Sequence, residues 1–92
     1  MSDDYKKIRD ITESIKEIIS DILNEKLKPD DIDNDTPLFL NGLGLDSIDL
    51  LQLIPKIEKK FSVKIPSKNY HVLKTVNYLS EYIFHTTKLR DK

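Results

Sequence analysis

The stretch Gly42-Leu43-Gly44-Leu45-Asp46-Ser47-Ile48-Asp49-Leu50-Leu51 passes from a glycine-bearing turn into the start of an amphipathic helix. Gly42 and Gly44 are the only two glycines in 92 residues, so a turn that uses their backbone freedom belongs here. An Asp-Ser pair ahead of an apolar-periodic run is first of all a helix N-cap. Beyond it, Leu50, Leu53, Ile54, Ile57 and Phe61 recur at helical spacing, with Ile48 and Leu51 on a neighbouring face. That pattern predicts a helix from about Ser47 to Phe61. Pro55 lies inside it; an interior proline removes a hydrogen bond and crowds the preceding turn, at a cost of about 3 kcal/mol, so a kink or an early end is expected. A helix N-terminus also offers free N–H groups and the positive end of the dipole. A first-turn serine bearing a phosphodiester would gain about 0.3–1 kcal/mol there.

Upstream, Ile8, Ile11, Ile15, Ile18, Ile19, Ile22 and Leu23 step by threes and fours, with Leu27 following. They predict a first helix from Tyr5 to Leu27, closed by Pro29. Residues 29–46 hold Asp30, Asp31, Asp33, Asn34, Asp35, Pro37 and Asn41 besides the glycines, and read as a long connection. Ile32, Leu38, Phe39, Leu40, Leu43 and Leu45 are its expected apolar pins. Asp31, Asp33 and Asp35 have the spacing that opens a calcium loop, but Thr36 and Gly42 stand where that loop needs Gly and a bidentate Glu, so no metal site is expected.

Downstream, Phe61, Val63 and Ile65 alternate with polar residues before Pro66, and an extended linker is expected rather than a lone strand. A short turn of helix is expected over Ser67 to Leu73. Thr75 can cap a last helix that turns Val76, Leu79, Ile83 and Tyr82 inward, and the tail from Thr87 to Lys92 is expected to fray. The fold class is therefore all-α: a small four-helix bundle, three helices long and one short, with the long loop between helices 1 and 2. One domain over residues 1–92, with an ordered core of about residues 5–86, suits this length.

Charge and composition exclude several functions. Fifteen Lys and Arg against sixteen Asp and Glu leave a net charge of −1, without the basic stripe of a nucleic-acid binder. No apolar run is long enough to span a bilayer, and the acidic start is unlike a signal peptide, so a cytoplasmic monomer is expected. The absence of cysteine removes disulfides, thiolate metal sites and cysteine nucleophiles together. Ser47 as a catalytic nucleophile would need a positioned base; the only histidines, His71 and His85, come late and without an orienting pattern.

The string Gly42–Leu51 resembles the phosphopantetheine attachment motif of acyl carrier proteins. Asp35-Thr36-Pro37-Leu38-Phe39 is similar to that family's loop. Ile57-Glu58-Lys59-Lys60-Phe61 and Val63-Lys64-Ile65-Pro66 are similar to the end of its second helix and the exit from it, and Thr75-Val76 with Tyr78-Leu79 and Tyr82-Ile83 to its final helix. The resemblance runs from about Tyr5 to Thr86 and implies a four-helix bundle of acyl-carrier type that is no enzyme. Ser47 would bear 4′-phosphopantetheine, joined by a phosphopantetheinyl transferase using coenzyme A, with Asp46 helping to engage that transferase and its metal. Ile48, Asp49, Leu51, Gln52, Pro55 and Lys56 would face partner enzymes. Leu50, Leu53, Ile57 and Ile65 would line an acyl cleft, while also serving as ordinary core. Acyl-loading and acyl-transferring enzymes of fatty-acid, polyketide-like or specialised lipid biosynthesis would be the partners.

The sequence departs from many fatty-acid carriers in one region. Their second helix presents an acidic face, whereas Lys56, Lys59, Lys60 and Pro55 occupy the later part here. That departure favours a specialised carrier. Two other readings are an unmodified interaction domain that keeps the fold, and a peptidyl or aminoacyl carrier. The first gains nothing from an intact Asp46-Ser47; the second commonly has Gly-Gly and His before its serine, where Leu45-Asp46 stands here. A small hydrolase is a more distant reading.

Overall fold

The computed structural model describes residues 3–39 and 42–90. Helix α1 spans Asp3–Ile22, α2 Ser47–Phe61 and α3 Val76–Arg90, with 3-10 turns at Pro29–Asp31 and Ser67–Val72. No strand is present among the described residues, and the expected all-α bundle is observed.

Helix α1 is the shared wall: α3 and α2 both pack along it. Ile11, Ile15, Ile19 and Ile22 are its buried stripe. They meet Leu53, Ile54 and Ile57 of α2 and Val76, Leu79, Ile83 and Phe84 of α3 in one core. Where α1 packs on α3 the interface is partly polar. Thr12 Oγ1 donates to the Ile8 carbonyl at 2.9 Å, and the Thr12 and Ser80 hydroxyls lie 2.9 Å apart, both buried.

Helix α1 stops five residues before the expected Leu27. Asn24 and Glu25 are in the left-handed region, with φ of 56° and 61°. The Glu25 amide donates to the Ser20 carbonyl and the Asn24 amide to that of Asp21, which is a Schellman closure with Asn24 as the left-handed residue. Pro29 therefore does not end α1; it begins a separate 3-10 turn. Leu27 still packs against the core from outside the helix.

Helix α2 has the expected bounds and does not end early at Pro55. Pro55 deprives the Leu51 carbonyl of its helical donor, but Leu51 and Pro55 both lie on the exposed face, where water can replace it. Ser62, left-handed at φ 54°, closes the helix with its amide on the Glu58 carbonyl. Glu58 Oε2 accepts from the Ile65 amide at 2.9 Å, folding the extended exit back against the helix and burying Val63 and Ile65. Thr75 Oγ1 accepts from the Tyr78 amide and caps α3. Of the tail from Thr87 to Lys92, residues 87–90 belong to α3, and residues 91–92 lie outside the described residues; Thr87 Oγ1 donates to the Phe84 carbonyl, and Lys88 pairs with Asp4 of α1 at 3.0 Å.

Candidate functional site

The loop between α1 and α2 is held by hydrogen bonds at both ends of its course. The Leu38 amide donates to the Lys74 carbonyl, and the Asn77 amide of α3 donates to the Asn34 carbonyl. Ile32, Leu38 and Leu45 are buried, with Phe39 and Leu43 partly so; Leu40 lies outside the described residues. The chain then doubles back: the Leu43 amide donates to the Pro37 carbonyl at 2.9 Å and the Leu45 amide to that of Leu38 at 3.0 Å. This return requires both glycines. A β-carbon on Gly42 would collide with the Pro37 carbonyl, and Gly44 has φ 82°.

That loop delivers Asp46 as the N-cap of α2 and Ser47 as its first residue. Asp46 Oδ1 accepts from the Asp49 amide at 2.9 Å, and Asp49 Oδ2 accepts from the Asp46 amide at 3.0 Å. The cap is thus Asp46, and the Ser47 hydroxyl stays exposed and uncommitted to capping. Among the described residues the amides of Ser47 and Ile48 have no acceptor, so two first-turn N–H groups stand free beside that hydroxyl.

A cleft of about 450 Å³ adjoins the serine, lined by Phe39, Gly44, Leu45, Asp46, Ser47 and Leu50, and its exposed surface is mainly apolar. An exposed hydroxyl, free amides for a phosphodiester and an apolar wall alongside the arm fit a covalently attached phosphopantetheine. A cleft of similar size, between α1, Asn34 and Asn77, shares no residue with it.

The partner-facing residues expected from the sequence lie together. Ile48 is 66% exposed and Leu51 74%, and Gln52, Pro55 and Lys56 are also exposed, with Asp49 half-buried. The four cleft residues separate. Leu50 is partly buried and lines the cleft beside Ser47, whereas Leu53, Ile57 and Ile65 are in the closed core. Phe39 and Leu45, expected only as pins, both line that cleft; their positions flanking the glycines in sequence are the available signal. His71 and His85 are both exposed and have no hydrogen bond to Ser47. Two carboxylates of the acidic loop hold it in place: Asp33 accepts from the Asp35 amide and Asp35 from the Asn77 side chain.

No helix of the described residues is long and apolar enough to cross a membrane. The family model described as the phosphopantetheine attachment site matches residues 13–83. The acyl carrier protein of Buchnera aphidicola subsp. Schizaphis graminum is 36% identical over 81 residues, covering 88% of this chain and 99% of the relative. That of Brachyspira hyodysenteriae is 33% identical over 75 residues, covering 79% and 91%, and that of Wolinella succinogenes 32% over 73 residues, covering 79% and 92%. A carrier domain implies contact with a phosphopantetheinyl transferase and with acyl-handling enzymes. From the glycine-dependent return of the loop to the matched residues on both sides of it, the chain belongs to the acyl carrier protein family, whose members bear 4′-phosphopantetheine and carry acyl groups rather than catalyse.

Proposed function

We propose that Ser47 is the residue that carries the phosphopantetheine arm, and that this chain ferries acyl thioesters as a single carrier module. The observation that carries this reading is the exposed Ser47 hydroxyl at the first position of α2, left free because Asp46 does the capping. When attached, the arm supplies the thiol that a cysteine-free chain lacks. Tethering presents the acyl group to each partner at high effective concentration. The chain's own residues hold and present. The Ser47 and Ile48 amides face the phosphodiester, with the helix dipole favouring its charge. Phe39, Leu45 and Leu50 form an apolar shelf beside the attachment point; Leu53, Ile57 and Ile65 would meet cargo only if the core parted. Ile48, Leu51, Gln52, Pro55 and Lys56 present the docking face, and Asp46 and Asp49 the charge beside the serine.

Incubation with coenzyme A and a broad-specificity phosphopantetheinyl transferase, read by intact mass, tests the reading. One phosphopantetheinyl group is expected on the wild type and none on Ser47→Ala. Modification of Ser47→Ala, or of neither protein with several transferases, would refute it.

The lysines and proline in the later half of α2 support service to a dedicated acyl-transfer, polyketide-like or lipid-modifying system. If the chain replaced the acidic carrier of a fatty-acid synthase at full rate, that assignment would be wrong.

A further inference from the structure

We infer that the enzyme docking along α2 presents a polarised surface, basic where it receives Ser47 and acidic where it meets Lys56, Lys59 and Lys60. The inference rests on Ser47 bearing the arm and on α2 facing the partner. At 1.5 Å per residue, the lysines lie about 14 to 20 Å beyond Ser47 along the helix. Asp46 and Asp49 mark one end of this face, exposed Ile48, Leu51 and Pro55 its middle, and the three exposed lysines its far end, with exposed Lys64 in the segment after it.

Among the described residues Lys56, Lys59, Lys60 and Lys64 form no ion pair. The only ion pair among the described residues is Lys88 with Asp4, which involves none of them. Glu58, the one carboxylate between the lysines, is turned to the Ile65 amide. The helix dipole favours Lys59 and Lys60 in the last turn, but Lys56 stands a turn earlier and gains little from it. Like charges three and four residues apart repel in the free chain. An acidic surface relieves that repulsion on docking and orients the chain so that Ser47 meets the active site. A uniformly anionic lipid surface would attract the lysines and repel Asp46 and Asp49 on the same face, so a protein with both signs of charge is the better match.

The test uses the arm-loaded full chain, with loading verified by intact mass so that a failure at Ser47 is seen separately. With p-benzoylphenylalanine in place of Ile48, light captures an acyl-transferring enzyme from the source cells without selecting for charge. The purified enzyme and wild-type chain are then treated with a carbodiimide, which joins a lysine amine to a touching carboxylate. Cross-links are expected from Lys56, Lys59 and Lys60, and none from Lys6 or Lys7. The K56E/K59E/K60E variant, verified as helical by circular dichroism, should lower kcat/KM for acyl transfer about tenfold or more at low salt, and K56Q/K59Q/K60Q by less. The difference should shrink at about 0.5 M salt. Unchanged transfer by the reversed variant, cross-links only from lysines elsewhere, or charge-dependent sedimentation with phosphatidylserine vesicles would each overturn the inference.

Discussion

Asp46 and Asp49 exchange hydrogen bonds across the first turn of α2, each carboxylate accepting from the other's amide. Ser47 sits between them with its hydroxyl exposed. Removing the cap should loosen the turn that presents the serine. Asp46→Ala should cost about 1 kcal/mol in urea denaturation. Asp46→Asn, which still offers a cap oxygen, should recover most of that stability; equal loss in both would show that capping is not what Asp46 contributes.

The two glycines of the loop should fail for different reasons. Gly42→Ala forces a β-carbon into the Pro37 carbonyl and should destabilise by about 1–3 kcal/mol, as overpacking does. Gly44→Ala puts a β-carbon on a left-handed backbone, at about 1–2 kcal/mol. Gly44→Asn should be milder than Gly44→Ala, because Asn tolerates that region better. Thermal melts of the three variants check the order.

Between α1 and α3, the single hydroxyl hydrogen of Thr12 goes to the Ile8 carbonyl, so Ser80 is the donor in their shared bond. Thr12→Val strands the buried Ser80 hydroxyl and should cost about 1–3 kcal/mol. Ser80→Ala leaves the Thr12 bond to Ile8 in place and should cost less. The double variant should be more stable than the sum of the two losses, as a double-mutant cycle would show.

Glu58 and Tyr82 secure the exit from α2 on opposite sides. Glu58→Ala deprives the Ile65 amide of its acceptor and should cost about 1.5–3 kcal/mol, since the acceptor is charged. Tyr82→Phe removes the hydroxyl that donates to the Lys64 carbonyl and accepts from Asn69, at about 1 kcal/mol. Amide exchange should quicken at Ile65 in the first variant before it quickens in α1. Uniform quickening across the chain would mean that the exit is not a separate unit.

The amino-acid order determined by itself whatever depends on local spacing. The apolar periods placed three helices, Thr75 marked the start of α3, and the Gly42–Leu51 string marked the family and the start of α2. The early stop of α1 was also written locally, in Asn24, but a periodic run through Leu27 outweighs one asparagine until the left-handed turn is seen. Tertiary structure decided what depends on contacts between distant residues. Gly42 is obligatory because the loop brings the Pro37 carbonyl against it, and α2 continues past Pro55 because the orphaned carbonyl lies on an exposed face. Leu50 reaches the cleft while Leu53, Ile57 and Ile65 close into the core, since only the packing of α2 on α1 decides which apolar positions keep an open side. Helical spacing shows that a face is apolar; it carries no information about what another element has left uncovered.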